Sequence, residues 1–381
     1  MNRPRLLTII GTRPEAIKMA PVILEIQRAA DRFHHTLVST AQHREMLDQV
    51  LTVFGITPDV DLGLMQPNQS LADLTARALT TLTKVFVAHR PTLVLLQGDT
   101  TTVMAAALAA FYQRVPVGHV EAGLRTFDRQ NPFPEEINRR IASVLSDLHF
   151  APTERARANL LAEGVPAESV FVTGNTIVDA LRQMPLTDPF ASESLRQLPL
   201  AGRRLIVVTA HRRENHGDPL RNICRALRVL AEKFSDVTIV YPVHLNPNVR
   251  QVVQADLGGA PAIHLIEPLP YPDLLRLLAR SELILTDSGG IQEEAPSLHK
   301  PVLVLRETTE RPEVIEVGAG QLVGTDPDRI VTAASRLLTD RAAYEQMINV
   351  VNPFGDGCAA ARIVQILTDR YSGSVPATMQ L

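Results

Sequence analysis

The chain has no tryptophan, and aromatic side chains make up only 4% of its 381 residues. Proteins that bind polysaccharide or single-stranded nucleic acid along a groove use aromatic rings as stacking surfaces. This composition therefore argues against such a groove and favours a small ligand.

Cysteines are also scarce. Cys224 and Cys358 lie far apart in the chain, which excludes a disulfide framework and the usual zinc-binding spacings. We expect no metal site, and a reducing, cytoplasmic location fits this cysteine usage.

Long apolar runs are missing as well. Residues 6–10 are too few for the apolar core of a signal peptide. The apolar stretch 103–112 is about half the length of the ~20 residues that span a bilayer. The net charge of -3 comes from charges that are mixed along the chain without a basic block. We expect neither a membrane nor nucleic acid as a partner.

The length of the chain exceeds what one hydrophobic core usually spans, so two domains are expected. Short apolar runs alternate with helical patterns, which predicts an α/β fold with two Rossmann-like parallel-sheet domains. The predicted strands are 6–10, 35–39, 92–96, 115–120, 205–208, 238–241, 283–286 and 302–305. Residues 187–204 lack a clear strand, so we place the first domain at 1–170 and the second at 171–357, with helix 358–381 packing back on the first.

The residues that follow each predicted strand are expected to carry the chemistry, because ligands bind outside the carboxyl ends of parallel strands. After the first strand, Gly11 permits a tight turn and Pro14 suits a helix start. Arg13 and Lys18 then become candidates for binding a phosphate. The alternative is a solvated basic pair on an ordinary helix.

A second turn of this kind follows the strand 283–286. Gly289 and Gly290 allow close approach of the backbone, Ser288 offers a hydroxyl, and the free amides of a helix start favour an anion. Glu294, one turn into the helix, is a candidate for holding a ribose diol. The alternative is a normal capped helix with acidic residues in its first turn.

Several carboxylates also follow strands of the first half. Asp99 and Glu121 come after neighbouring strands, and the alternative for Asp99 is a plain N-cap. No cap pattern lies behind Glu121, which favours a buried carboxylate with a shifted pKa. Glu135 and Arg139 share one helix face, and the alternative for Glu135 is a favourable acid in the first turn.

In the second half, His211 follows a strand and is a candidate proton donor or phosphate ligand. Arg311 is another candidate for binding phosphate, and its alternative is an ion pair within the protein. No Gly-x-Gly-x-x-Gly turn links a strand to a helix, which argues against a bound nicotinamide. Gly-x-Ser-x-Gly and Walker motifs are absent from the sequence too, which argues against the simplest hydrolase and kinase functions.

The motifs occur in a specific order along nearly the whole chain: GTRPEAIKMAP, TAQHREMLDQVL, QGDTTTV, VEAGLRT, PFPEEINR, HRREN, YPVHLNP, TDSGGIQEEAP and TTERPE. This ordered set closely resembles the bacterial non-hydrolysing UDP-N-acetylglucosamine 2-epimerases. The resemblance implies a homodimeric enzyme without a cofactor, of the glycosyltransferase-B type fold with the active site in a cleft between its domains. It also implies interconversion of UDP-GlcNAc and UDP-ManNAc for surface polysaccharide.

The resemblance further implies roles for individual residues. The set matching the UDP-sugar site is Arg13, Lys18, Ser288, Gly289, Gly290, Glu294 and Arg311, with His211 beside it. The catalytic set is Asp99, Glu121 and Glu135 as acid and base carboxylates, supported by Arg139 and His211. Some members have a second, regulatory UDP-GlcNAc site, and the matching residues here are Gln42, His43, Gln69, Glu136, Arg212 and His244. Glu45 and Asn68 depart from that second pattern.

The chemistry accounts for these residue types. The C2 proton of the sugar has no adjacent carbonyl, so elimination of UDP, rather than direct proton removal, opens a route to epimerisation. Such a route needs an anion cradle together with an acid and a base. Two other functions remain open at the level of the sequence: an epimerase for a modified UDP-HexNAc such as a diacetamido-uronic acid nucleotide, and a UDP-sugar glycosyltransferase.

Overall fold

The computed structural model describes residues 3–40, 44–66 and 69–371, and the chain divides into two compact units. Unit 1 consists of Met1–Gln183 and Phe354–Leu381, and unit 2 of Met184–Pro353. The chain therefore leaves the first unit once and returns to it near the C-terminus.

Unit 1 is built on a parallel sheet of seven strands, in the order β3-β2-β1-β4-β5-β6-β7. These strands are β1 (Arg5–Ile10), β2 (His34–Ser39), β3 (Val60–Asp61), β4 (Leu93–Gln97), β5 (Val117–Val120), β6 (Leu148–Ala151) and β7 (Val170–Val172). The helices between them are α1 (Arg13–Arg28), α2 (Arg44–Phe54), α3 (Leu71–His89), α4 (Thr101–Tyr112), α5 (Glu135–Leu145), α6 (Glu154–Ala162) and α7 (Thr176–Arg182).

Unit 2 repeats this plan with six parallel strands, in the order β10-β9-β8-β11-β12-β13. Its strands are β8 (Arg204–Thr209), β9 (Val237–Pro242), β10 (Ile263–Ile266), β11 (Leu283–Thr286), β12 (Val302–Val304) and β13 (Gly320–Leu322). Its helices are α8 (Glu193–Arg196), α9 (Asp218–Lys233), α10 (Pro247–Leu257), α11 (Tyr271–Arg280), α12 (Gly289–Ser297), α13 (Pro312–Glu316), α14 (Pro327–Thr339) and α15 (Arg341–Ile348). The last helix of the chain, α16 (Ala359–Tyr371), packs on α1 and α7 of unit 1.

The strand order reverses once in each sheet, between β1 and β4 in unit 1 and between β8 and β11 in unit 2. At such a switch point the connections leave in opposite directions and open a crevice at the carboxyl ends of the strands. Gly11, Asp99, His211 and Asp287 come one or two residues after these four strands. The sequence motifs therefore lie where each sheet can bind a ligand.

Buried apolar residues explain why the sheets form. In unit 1 the strands β1 and β4 pack their apolar side chains against α3 and α4. Helix α4 is apolar on nearly every face and buried along most of its length, although Phe111 and Tyr112 at its end are exposed. In unit 2, α9 and α14 cover the corresponding core.

The domain boundary near 170 is corrected by the structure, which places it at Gln183/Met184. The reason is a strand that the sequence pattern did not reveal. Val170–Val172 pairs in parallel with β6 and is the edge of the first sheet, and α7 follows it. β3, β6, β10 and β13 were not predicted either, because they are short and their apolar residues do not stand out from the flanking helices.

Over the residues described, no helix is both long enough and apolar enough to cross a membrane.

Candidate functional site

The turn between β1 and α1 is fixed by reciprocal caps. Thr12 caps the helix by accepting a hydrogen bond from the Glu15 amide at 3.4 Å. Glu15 Oε2 accepts in return from the amides of Gly11 and Thr12, at 2.7 and 3.3 Å. Burial raises the pKa of Glu15 to about 7, against hydrogen bonds from Thr100, Gly11 and Thr12 that lower it. The result is an ordered turn that presents Arg13, whose side chain has no hydrogen-bond or ion-pair partner among the described residues.

Glu121 lies directly after β5 with its backbone in the left-handed region, at φ 63°. Its side chain is only 8% exposed and forms an ion pair with Lys18. Gln97 donates its side-chain amide to Oε2, and Asn175 Nδ2 donates to Oε1 at 3.1 Å. Glu121 is thus a buried carboxylate, as predicted. Lys18, predicted to face a phosphate, is engaged with this carboxylate.

Asp99 follows β4 and forms an ion pair with Arg139 of α5. The residue that caps α4 is Thr100, which excludes the alternative that Asp99 is the N-cap. His119 holds the preceding turn by donating from Nε2 to the Gly98 carbonyl at 2.8 Å. Because burial lowers the pKa of His119 to about 3, this imidazole is neutral near pH 7.

Arg139 also contacts Glu136, at 3.3 Å from Oε2. Glu136 is fully buried, and its two oxygens accept from the amides of Thr126 and Phe127. The neighbouring Glu135 is half-buried in the first turn of α5, as its alternative predicted, and has no hydrogen-bond partner among the described residues. Glu136 therefore holds a loop, whereas Glu135 presents a carboxylate without a partner.

In unit 2, β11 leads into the predicted glycine turn. Ser288 is the N-cap residue of α12, but its side chain makes no capping hydrogen bond. A side chain at Gly289 would place Cβ 2.9 Å from Glu310 Oε1, so only glycine fits there without a shift of its neighbours. The hydroxyl of Ser288 and the first amides of α12 lie together at this helix start, and their role as an anion cradle stays a prediction.

Asp287, just before the cradle, is fully buried. Its Oδ2 accepts from the amides of His211 and Arg212, both at 2.8 Å, and from Asn215 Nδ2 at 3.0 Å. This carboxylate ties the turn after β8 to the turn after β11. His211 Nδ1 lies 3.7 Å from Asp287 Oδ1, and its ring stacks on His244 with centroids 5.1 Å apart.

A buried network of charges lies behind the cradle. Glu310 forms ion pairs with Arg306 and Arg212. Burial raises the pKa of Glu310, but the guanidiniums of Arg311, Arg306 and Arg212 outweigh it and hold the pKa at about 2. Arg311 forms an ion pair with Glu293, which is the alternative that the sequence left open for it.

Glu294, the candidate for the ribose, is buried and accepts a hydrogen bond from the Tyr271 hydroxyl at 3.1 Å. Tyr271 of α11 thus orients the carboxylate of Glu294, which belongs to α12.

The six candidates for a second nucleotide site are spread over the chain. Gln42 and His43 lie outside the described residues. Gln69 Oε1 accepts from Arg77 at 3.2 Å in unit 1. Arg212 and His244 are in unit 2. Arg212 forms an ion pair with Glu310, and the ring of His244 stacks on the ring of His211.

Gln97, Asn175 and Asp287 were not selected from the sequence, although each bonds to a candidate residue or to its backbone. Gln97 ends β4 directly before the Gly-Asp turn, and Asp287 directly follows β11 and precedes Ser288. A polar residue at the end of an apolar strand was the available signal for both. Asn175 follows β7, which the sequence pattern did not reveal.

Comparison with known proteins identifies the family. The family model described as UDP-N-acetylglucosamine 2-epimerase matches residues 25–368. The UDP-N-acetylglucosamine 2-epimerase of Salmonella typhimurium is 53% identical over 369 residues, covering 95% of this chain and 98% of the relative. The enzyme of that name from Bacillus subtilis is 50% identical over 371 residues, with 97% of each covered.

Solved structures agree with the sequence comparison. The crystal structure of UDP-GlcNAc 2-epimerase from Neisseria meningitidis bound to UDP-GlcNAc matches with a TM-score of 0.88 and 48% identity, covering 96% of this chain and all of that one. The predicted α/β fold of glycosyltransferase-B type, with two parallel sheets, is confirmed. The chain therefore belongs to the UDP-N-acetylglucosamine 2-epimerase family, whose members are isomerases.

Proposed function

We propose that this enzyme interconverts UDP-GlcNAc and UDP-ManNAc by eliminating UDP to a 2-acetamidoglucal and adding it back, and that it supplies ManNAc units for surface polysaccharide. The family membership and the UDP-GlcNAc bound by the Neisseria meningitidis relative support the substrate. One observation supports the reaction type. Two carboxylates, Asp99 and Glu121, follow the neighbouring strands β4 and β5, and each forms an ion pair with a basic side chain.

The proposed reaction has two steps, an elimination of UDP and its addition back. A carboxylate removes the C2 proton, the C2–H electron pair forms the C1–C2 double bond, and the C1–O bond breaks with its electrons on the departing UDP. UDP then attacks C1 again while an acid returns a proton to the opposite face of C2. The reaction thus requires proton transfer on both faces of C2 and stabilisation of the diphosphate charge.

We assign the proton transfers to Asp99, Glu121 and Glu135. Glu135 is suited to meet a substrate because its carboxylate has no partner among the described residues. Arg139 supports Asp99 through their ion pair, and His211, ordered by Asp287, supports the leaving diphosphate.

We assign UDP to Arg13 and Lys18, to the cradle Ser288–Gly289–Gly290, and to Glu294 and Arg311. The cradle alone is insufficient. A helix end stabilises an anion by at most ~2 kcal/mol, whereas enzymes lower their barriers by ~8 kcal/mol or more. The cations and the proton-transferring carboxylates must supply the remainder.

The test is incubation with UDP-GlcNAc alone in deuterium oxide. We expect UDP-ManNAc with one deuterium at C2 and none at C3, and no response to added NAD. Glu121→Gln and Glu135→Gln are expected to lower kcat by ~100-fold or more while UDP binding persists. Product with unlabelled C2 would refute the elimination. No product without an acceptor would favour a glycosyltransferase, and product only from a modified UDP-HexNAc would favour the related epimerase.

We further propose that Gln42, His43, Gln69, Glu136, Arg212 and His244 form a second, regulatory UDP-GlcNAc site. Turnover that starts from UDP-ManNAc should then be slow until a trace of UDP-GlcNAc is added, with a coupling of ~1 to 3 kcal/mol between the sites. Gln69→Ala should weaken this activation, and hyperbolic kinetics without a lag in the unmodified enzyme would contradict it.

A further inference from the structure

Glu121 is held by more donors than its ion pair requires. Its Oε1 accepts from Lys18 and from Asn175, and its Oε2 accepts from Gln97. These three donors come from α1, from the residue before α7 and from the end of β4. Because they approach from three directions, they fix both oxygens of one carboxylate.

We propose that Gln97 and Asn175 are positioning residues that hold Glu121 ionised and aimed for proton transfer, an inference that rests on the catalytic role proposed for Glu121. Neither residue touches the reacting atoms in this proposal. They act through Glu121, as groups that orient a general base do.

Gln97 is placed by the sheet. It is the last residue of β4, is 3% exposed and lies opposite Val120 in the parallel register with β5. Its side chain therefore leaves the sheet next to residue 121. Since a glutamine amide in this buried position donates to a carboxylate, its nitrogen faces Glu121.

The amide of Asn175 is oriented by two independent contacts. Its Oδ1 accepts from the Ile177 amide at 3.0 Å and caps α7, which leaves Nδ2 as the group that faces Glu121. Its backbone amide donates at 2.8 Å to the carbonyl of Phe354, the residue at which the chain returns to unit 1. Asn175 is 2% exposed, so water cannot readily replace its donor.

Hydrogen bonds from neutral amides favour the charged form of a carboxylate and restrict its rotation. This matters at Glu121, because a carboxylate with a side chain only 8% exposed has little water to stabilise its charge. Removing either amide should lower the fraction of molecules in which the base is charged and correctly placed. It should leave the groups that bind UDP unchanged.

The experiment uses substitutions that keep the local structure. Asn175→Ser retains a good N-cap for α7 but removes the donor. Gln97→Met retains the volume and removes the donor. Each is expected to lower kcat by about 10- to 100-fold with KM for UDP-GlcNAc within about 2-fold. Asn175→Asp, which keeps the cap and places a second carboxylate against Glu121, should lower kcat further than Asn175→Ser.

The matched control is Asp326→Ser, which makes the corresponding N-cap change at α14 of unit 2. We expect its kcat to stay within about 2-fold, since only a helix cap of modest energy changes. The number of UDP molecules bound per chain is measured for every variant. This number gives the fraction of chains with a folded site, so that a loss of folded protein is not mistaken for a loss of kcat.

Three results would overturn the inference. If Glu121→Gln is inactive while Asn175→Ser and Gln97→Met keep their kcat, the amides do not position the base, and the proposed function stands. If the loss of kcat only follows the loss of folded sites, their role is structural. If Glu121→Gln itself keeps its kcat, the proposed role of Glu121 fails, and this inference fails with it.

Discussion

Glu15 offers a direct test of the electrostatics of unit 1. It is buried beneath the turn that presents Arg13, and burial raises its pKa from 4.5 to about 7. The change to make is Glu15→Gln. Glutamine keeps an oxygen that accepts from the amides of Gly11 and Thr12, and it replaces the other oxygen with an amide group that carries no charge.

The sign follows from linkage. The folded state binds the Glu15 proton more tightly than the unfolded chain, so this contribution to stability is full below pH 4.5 and is lost as the pH rises to about 7. At about 1.4 kcal/mol for each tenfold change in proton affinity, ionisation of Glu15 costs the folded state roughly 3 kcal/mol at pH 8. Most of this cost develops between pH 5 and pH 8.

The assay is urea unfolding of both proteins at pH 5 and at pH 8, followed by far-UV circular dichroism because the chain has no tryptophan. We expect the free energy of unfolding of Glu15→Gln, relative to the unmodified protein, to rise by roughly 2 to 3 kcal/mol from pH 5 to pH 8. Glu25→Gln, on the surface side of the same helix, controls for loss of a negative charge. A difference that is equal at the two pH values, or larger at pH 5, would refute the reasoning.

Three further substitutions test the packing and the binding groups. Gly123→Ala should destabilise unit 1 by at least ~1 kcal/mol, because φ is 91° and the new Cβ would lie 2.2 Å from a carbonyl oxygen of α6. Gly164→Ala, at φ 87° in open space, should lower the melting temperature less, and equal losses would contradict the steric argument. Arg125→Met should cost roughly 3 kcal/mol of unfolding free energy, since it removes the buried guanidinium that bonds both oxygens of Glu163 at 2.7 and 2.9 Å; unchanged urea unfolding would exclude a stabilising pair. Arg13→Ala should raise KM and lower kcat together in steady-state assays, because in the proposed site Arg13 binds the diphosphate of the substrate and binds it more strongly as negative charge develops on the leaving UDP, whereas unchanged kinetics would remove Arg13 from the UDP site.

The long apolar strands were predictable from the sequence. The predicted strand 283–286 has the bounds of β11, and 6–10 and 35–39 each begin one residue late. These strands are central in their sheets or flanked by clear turns, so their apolar runs stand out. Val170–Val172 was missed because it is a strand of only three residues. It pairs with a single neighbouring strand at the edge of the sheet, so its sequence shows little apolar periodicity. Because this strand was missed, the predicted domain boundary lies too early in the chain.

The positions of the motifs were also predictable, but their partners were not. A residue that follows an apolar strand must lie at the end of the sheet, whatever the rest of the chain does. The bond from Asn175 to Glu121, by contrast, joins residues 54 positions apart and depends on β7 lying beside β6. Such a contact follows from the order of the strands, which local periodicity does not contain.

The sequence left two interpretations for several motifs. Whether the side chain has a hydrogen-bond or ion-pair partner within the protein distinguishes between them. Arg311 has an ion pair within the protein, so its position is explained without a ligand. Ser288 stands at a helix start but does not cap it, and Arg13 stands on an ordered turn without a partner among the described residues. An ordered polar group that satisfies nothing in its own fold has no structural role to account for its position. For Ser288 and Arg13 we therefore propose that they bind an anion, whereas the ion pair with Glu293 accounts for the position of Arg311 within the fold.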